Sequence, residues 1–454
     1  MGDGSGLVAR ILQAFPVKPC VADEQMLENV RSAVARDLPS PALCSPHDTI
    51  MSIAAGGPSL NDTWPQLDGV VCAVNGSLNF LLDRGVTPWA VGCMDPRPHM
   101  AETLGEPRDD VFYFLGSTCH PSVFEKFAGK QVICWHPLGM TDMREAIGKQ
   151  AGIGGGTTMG LRWLTLGHYM GFRNFHGHGL DSSFRGKSTH AYPDWRDKFD
   201  ATMLEDSKTS LNFLQQVHDW FEMKAMFRRE QPWNRINTKL FGEGLLQHCE
   251  AGRLKEVAAA RASRRPDTKP LRIVCVNAGD YLGRGDEYVA HLESGLERHV
   301  TGPFTFDVLN SGPSNWWAKL ELFRPGRFPA GERILYFDLD TVICGPIDDL
   351  IAYDGPFTML DDWMGVTPMN SSVMSWTAGE CDHIWNAWVE AGKPTDSQGD
   401  QAWIGRCVPD ALRWQELFPD RLVSFKAHCS TGVPADARAI CFHGEPRPHL
   451  TELW

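Results

Sequence analysis

Apolar and polar positions alternate along this chain in two registers. Short apolar runs read as buried strands at Thr49–Ala54, Val70–Val74, Trp89–Cys93, Val111–Leu115, Gln131–Trp135 and Asn174–His176. Between them lie stretches with helical spacing, such as Leu78–Asp83 and Thr158–Met170. Residues 200–228 read as one long helix, with Met203, Leu204, Leu211, Leu214, Val217 and Phe221 on its apolar face. Strand–helix alternation implies βαβ units and a parallel sheet. It returns after residue 270, with strands expected at 271–277, 304–309 and 333–337 and helices at Asp286–Arg298 and Trp316–Phe323.

The border between the two stretches is legible. Residues 252–270 are basic and Ala-rich and end in prolines, which reads as a helix tail plus linker. The expectation is two Rossmann-like α/β domains in tandem. A helical lead-in covers 1–47, the first domain with a helical extension 48–250, a linker 251–270 and the second domain 271–454.

Composition changes this picture in three ways. No apolar run approaches 18 residues, so no membrane span is expected. The thirteen cysteines are scattered, form no CxxC pair and often sit in strand-like runs; they read as free thiols in a cytoplasmic protein, with no basic, apolar leader at the start. Of 43 Lys/Arg and 56 Asp/Glu, residues 266–454 hold 15 and 27, a net of −12 against −1 for residues 1–265. The second domain is therefore poorly suited to grip a polyanion directly, though it could hold phosphates through a divalent cation.

Candidate chemistry begins at Ile334–Asp340, an apolar strand ending in Asp338-Leu339-Asp340. Ligands of open α/β sheets sit at the carboxyl ends of strands. Two hard carboxylates there suit Mn²⁺ or Mg²⁺, which share their shell with phosphate oxygens. Asn277-Ala-Gly279-Asp-Tyr281, Trp317-Ala-Lys319-Leu320, Asn370-Ser-Ser-Val, Asp400-Gln401 and His443-Gly444-Glu-Pro-Arg447 accompany it. Each alone reads as a turn, a surface pair or an ordinary histidine; their order is informative.

That order resembles glycosyltransferase family 8 and its relatives, over roughly 270–450. The resemblance implies a GT-A fold and a metal held by Asp338, Asp340 and His443. It implies a nucleotide-sugar donor, UDP- or GDP-linked, bound by Asn277, Gly279, Tyr281, Lys319, Asp338, Asn370, Gly444 and Arg447. Asp400 would meet sugar hydroxyls and Gln401 the anomeric carbon, with transfer retaining configuration. Arg447 stands where the family has Lys, after a shorter spacing, and Ser372 stands where it has Gly.

In the first half, Gly56-Gly57-Pro58-Ser59 and Gly154-Gly155-Gly156-Thr157-Thr158 each join a glycine turn to a helix start, where free N–H groups favour anions. Asn75-Gly76, Met94-Asp95-Pro96 and Gly179-Leu180-Asp181 close strands with polar residues. Over about 48–195 this series resembles the domain of flagellin motility-accessory glycosyltransferases and archaeal 6-hydroxymethylpterin pyrophosphokinases, related to sialyltransferases. It implies nucleotide phosphate at Gly57, Ser59, Asn75, Gly155 and Thr157, with Asp95 and Asp181 near the reacting group or a metal.

Three alternatives stay open. The first half could transfer diphosphate itself. The protein could modify a nucleotide or DNA base, with Trp220, Phe221, Phe227, Trp233, Lys224, Arg228, Arg229, Arg235 and Lys239 gripping the acceptor. Or it could bind carbohydrate or nucleic acid without turnover. The acceptor is a glycan, a protein or a modified nucleotide or DNA.

Overall fold

The computed structural model describes residues 5–15, 17–139, 143–193, 201–204, 206–266, 269–279, 281–312, 315–396 and 399–454. The chain divides into two compact units. Unit 1 comprises 1–227 and 233–252; unit 2 comprises 228–232 and 253–454.

Unit 1 is built on β1 (His47–Ala54), β2 (Val70–Val74), β3 (Ala90–Cys93), β4 (Phe112–Gly116), β5 (Val132–Pro137), β6 (Gly152–Ile153) and β7 (Phe172–His178). A hairpin of β8 (Ala201–Leu204) and β9 (Ser207–Ser210) follows, then β10 (Asn237–Phe241). The main sheet has eight strands in the order β10-β7-β1-β2-β3-β4-β5-β6, all parallel. Its inner strands are apolar on both faces because both are covered. Met51, Ile53, Phe114, Trp163 and Leu166 fill one core; Ala54, Leu78, Val91, Tyr113 and Phe124 fill the other. Since β1 pairs with both β2 and β7, the strand order reverses there. This is the switch point at which open α/β sheets leave a crevice.

The long helix expected over 200–228 is shorter. It begins at Leu211 and runs to Arg228, after the β8–β9 hairpin. Ser207, Thr209 and Ser210 favour extended chain and caps over helix interior. Thr209 Oγ1 donates to Ser182 O at 2.8 Å, and Ser210 Oγ accepts from Phe213 N at 3.3 Å. Met203, assigned to the apolar helix face, is 62% exposed. Residues 200 and 205 of that expected helix lie outside the described residues, as do 267–268 of the expected linker. The Ala-rich start of that linker is helical, within Leu245–Ala262.

Unit 2 contains β11 (Leu271–Val276), β12 (Thr305–Leu309), β13 (Arg333–Phe337), β14 (Thr341–Ile343), β15 (Thr358–Asp361), β16 (Met369–Thr377), β17 (Leu412–Arg413), β18 (Leu422–Ser424) and β19 (Ala439–Cys441). Its six-stranded sheet has the order β12-β11-β13-β16-β15-β17. Strands β12, β11 and β13 are parallel, and β16 runs antiparallel between β13 and β15. Strands β14, β19 and β18 form a small second sheet. All five residues of β13 are buried. The stretch Asn315–Phe323 is 3-10 rather than α-helical, with Trp317, Ala318, Lys319 and Leu320 buried in succession.

Candidate functional sites

In unit 1 the carboxyl ends of β1 to β5 and β7 open into a cleft of ≈ 940 Å³, the size of a small-ligand site. Gly57, Asn75, Asp95, Thr157 and Asp181 lie on its wall. Ser59 does not: it is fully buried behind Asp181. Ser59 N donates to Asp181 Oδ2 at 2.6 Å, Ser59 Oγ donates to Oδ1, and Gln247 Nε2 adds a bond of 3.3 Å. Burial raises the Asp181 carboxyl, against the pull of Ser59. Gly57 is required by close approach, since a Cβ there would meet Asp181 Oδ2 at 2.8 Å as well as Gly179 O.

The other predicted residues differ in what they offer. Asp95 forms a fork with Arg97, with Nε–Oδ1 2.9 Å and Nη2–Oδ2 2.6 Å. Thr157 N and Oγ1 both donate to Asp219 Oδ2, at 2.7 and 2.6 Å. Asn75 holds the left-handed conformation, φ 49°, and among the described residues its buried Oδ1 has no partner. Gly155 lies off the cleft wall; at φ 136°, a Cβ there would press on Thr165 Oγ1.

In unit 2 a buried polar network grows from the end of β13. Asp338 Oδ1 accepts from Tyr336 OH at 2.6 Å and pairs with Lys319 Nζ at 2.9 Å. Lys319, 7% exposed, also pairs with Asp400 Oδ2 at 3.2 Å and donates to Ser371 Oγ at 3.0 Å. Ser371 Oγ in turn donates to Asp400 Oδ2 at 2.6 Å. Gln401 follows through Asn370 Nδ2, 3.2 Å from Gln401 Oε1, and through Thr367 Oγ1, 2.9 Å from Gln401 Nε2.

Asp340 Oδ2 accepts from Tyr281 OH and from Arg447 Nη1, each at 2.8 Å, and Arg447 also donates to the Tyr281 hydroxyl. Asn277, at the end of β11, accepts from Tyr281 N at 3.3 Å and so ties that loop to the sheet edge. Gly279 and Gly444 both sit at positive φ, 87° and 76°. Asp280, between these loop residues, lies outside the described residues.

The charges in this network are unequal. Burial opposes ionisation of Asp338, but Lys319 and Tyr336 hold its carboxyl below the usual range. Burial and then the Asp338 charge push Asp340 up to about 6. Burial raises Asp400, with Lys319 opposing. Burial lowers the His443 imidazole; among the described residues its buried Nε2 has no partner, and its ring lies 5.5 Å from that of Trp363.

As these side chains stand, no group of three or more His, Cys, Asp or Glu is placed to hold a metal among the described residues. The donor chemistry nevertheless fits a divalent cation. Carboxylate oxygens and an imidazole nitrogen are donors such ions accept, and among the described residues the buried His443 Nε2 has no partner.

Comparison with known proteins finds a similarity for the first part of the chain. Residues 24–187 match the MptE-like family, described as 6-hydroxymethylpterin diphosphokinase MptE-like. Among solved structures, a MAf glycosyltransferase from Magnetospirillum magneticum AMB-1 is similar at 16% identity and a TM-score of 0.38. The likeness covers 64% of this chain and 50% of that one, so the chain spans about half the length of that protein. No curated protein matches.

Several site residues have no separate signal in the sequence. Tyr336 was readable in principle, because strand residues two apart share a face and Asp338 follows it by two. Ser371 reads only as part of a turn. Asp219 and Gln247 come from helices remote in sequence, which only the fold brings to Thr157 and Asp181.

The aromatic and basic stretch 220–239 is largely consumed by packing. Trp220 and Phe227 lie in the unit 1 core. Lys224 pairs with Glu250 at 3.4 Å, and Arg228 pairs with Asp361 and Glu416 within unit 2. Trp233 is 67% exposed.

Proposed function

We propose that the protein is a glycosyltransferase whose unit 2, a GT-A-like domain, moves a sugar from a UDP- or GDP-linked donor with retention of configuration. The observation that carries this reading is the buried Lys319–Asp338–Asp400–Ser371 network at the carboxyl end of β13, leading to Gln401. Such a network gathers two carboxylates around one buried cation, with the Gln401 amide linked through Asn370, where their charge acts strongly. Asp338, Asp340 and His443 would hold Mn²⁺ or Mg²⁺, which supplies charge to offset the departing nucleoside diphosphate. Arg447 and Gly444 face the phosphates in this reading, and Tyr281, Asn277 and Gly279 face the nucleoside. Lys319 fixes Asp338 and Asp400 relative to one another, so that Asp400 meets sugar hydroxyls and Gln401 the anomeric centre.

The acceptor is a glycan, a protein or a modified nucleotide or DNA. A reducing, cytoplasmic setting suits thirteen cysteines that are all free. Among the described residues no helix is long and apolar enough to cross a membrane.

A thermal-shift screen of nucleotide sugars, with and without Mn²⁺, tests the donor. A ligand that binds only the native state raises its melting temperature. A rise with a UDP- or GDP-sugar that needs Mn²⁺ supports the reading. Melting unchanged at millimolar concentrations of every nucleotide sugar opposes it.

A second reading has its own support. The unit 1 cleft sits at a switch point, within a stretch matching a diphosphokinase-like family. Unit 1 would then transfer diphosphate from ATP. AMP formation from ATP that survives Asp338→Ala and Asp340→Ala in the full chain supports this; loss of AMP formation with either substitution opposes it.

A further inference from the structure

The N-terminal lead-in completes the wall of the unit 1 cleft: Leu12, residues 17–20, Asp23 and Met26 all line it. All but Met26 precede residue 24, where the MptE-like match begins, and all precede the first strand of the sheet. The lead-in is a built part of unit 1. Val8 and Leu12, on helix Ser5–Ala14, are buried in one core with Met51 and Trp163, and Val17 packs against that core. On helix Asp23–Val34, Asn29 is 1% exposed, and its Nδ2 donates to Pro96 O at 3.2 Å and to Thr118 O at 2.9 Å. Val30 of the same helix shares a small core with Met143 and Ile147, against which Leu138 packs.

These contacts locate helix Asp23–Val34 along the sheet. Pro96 follows β3, Thr118 follows β4 and Leu138 follows β5. In the strand order β5 stands four places from β1, which is about 19 Å at the spacing of neighbouring strands. The cleft therefore has two ends. One is the switch point, with Gly57 and Asp181 on its wall. The other lies over β3 to β5, where Met26, Met94, Leu138 and Met143 line it, and Val17 and Pro19 line the approach to the helix. A phosphate group alone does not span that length. Methionine sulfurs make favourable contacts with aromatic rings and adapt to their shape. Lys18 and Asp23, both exposed on the same approach, bring a donor and an acceptor for the edge of a polar ring.

We propose that residues 17–26 form a subsite for a planar heteroaromatic ring, the base of a nucleotide whose phosphates lie toward the switch point. The ring rests on the methionine side chains and the lead-in covers it, so this segment selects the base. The assignment rests on the reading of the unit 1 cleft as a nucleotide site. It stands independently of the reading of unit 2.

Cys20, exposed and on the cleft wall, reports occupancy in the unaltered full-length protein. Cys44 is also exposed but does not line the cleft, and serves as the internal control. Maleimide alkylation of each is followed by mass spectrometry with ADP, GDP, CDP or UDP present, while calorimetry measures the binding of the same nucleotides. At about ten times its Kd, a nucleotide slows alkylation of Cys20 by about tenfold and leaves Cys44 unchanged. Inorganic diphosphate and ribose 5-phosphate, which carry no base, do not protect. Val17→Asp weakens the nucleotide by about tenfold or more; protection in the wild type carries the test even where that variant folds poorly. The proposal is overturned if a nucleotide binds saturably while Cys20 reacts as before, or if inorganic diphosphate protects as well as the nucleotides. In either case AMP formation from ATP that persists leaves the reading of the cleft standing. If none of the four nucleotides binds, both fall.

Discussion

Replacing Lys319 with Met should cost unit 2 a large and pH-dependent part of its stability. Lys319 Nζ is 2.9 Å from Asp338 and 3.2 Å from Asp400; the Lys319 and Asp400 side chains are buried and that of Asp338 is 21% exposed. Removing one partner of a buried ion pair costs about 3–5 kcal/mol, because a charge is left uncompensated. Here one cation serves two carboxylates, so the upper part of that range is expected near pH 7.5.

The pH dependence follows from the directions of the shifts. Asp338 is held below the usual carboxylate range, so its contribution is present above the unfolded value and is lost as pH falls through the folded one. In Lys319→Met the restraint on Asp338 and Asp400 is gone. Both carboxyls rise, protonate on moderate acidification and shed their burial penalty. The difference between wild type and variant therefore shrinks as pH falls from 7.5 towards 5.

Hydrogen exchange of peptides from β13 and β16 reads unit 2 without assuming that the chain unfolds in one step. At pH 7.5 protection in the variant should drop by roughly two to four powers of ten. At pH 5, after correction for intrinsic rates, the drop should be clearly smaller. A difference below about 1 kcal/mol, or one constant with pH, would refute the assignment of Lys319 as the shared counter-charge.

Two other outcomes test separate parts of the structure. Arg228 and then Arg253 outweigh the burial of Glu416 and hold its carboxyl down at about 2, with Arg253 Nη2 at 2.6 Å. Its stabilisation is present above the unfolded value near 4.5 and is lost as pH falls towards 2, so Glu416→Gln should lower unit 2 stability at pH 7 and flatten the acid limb of its stability curve, measured by exchange. In unit 1, Ser59→Ala removes a bond to the buried Asp181 carboxylate and should cost about 1–3 kcal/mol, read as a lower melting temperature.

Much of the scaffold is legible because both units obey simple periodicities. Val70–Val74 is a continuous apolar run, and β2 has those bounds, since a strand covered on both faces has no polar side to blur its ends. The N-terminal half of the helix expected over 200–228 was not legible, because Leu204 and Met203 fit a helical face while Ser207, Thr209 and Ser210 pull the chain into a hairpin. Strand β10 escapes the same pattern, as Asn237 to Phe241 carry no buried run.

For the sites, spacing pointed to residues that the fold gathers on one cleft wall and in one polar network, without showing their bonding. Gly57 and Asp181 belong together because the glycine lets β1 approach β7 closely enough for Ser59 to reach the carboxylate. Arg162 looks like a surface residue of an amphipathic helix. It is buried and bonded to the Ile153 and Leu138 carbonyls, which are facts of packing and not of sequence.

We propose that Asp338 and Asp340 serve a sugar-nucleotide site. The most direct measurement is release of UDP or GDP from nucleotide sugars by the full-length protein with Mn²⁺, beside Asp338→Ala and Asp340→Ala. Metal-dependent release by the wild type should fall by about two powers of ten or more in each variant. Release that proceeds equally well in both variants would contradict it.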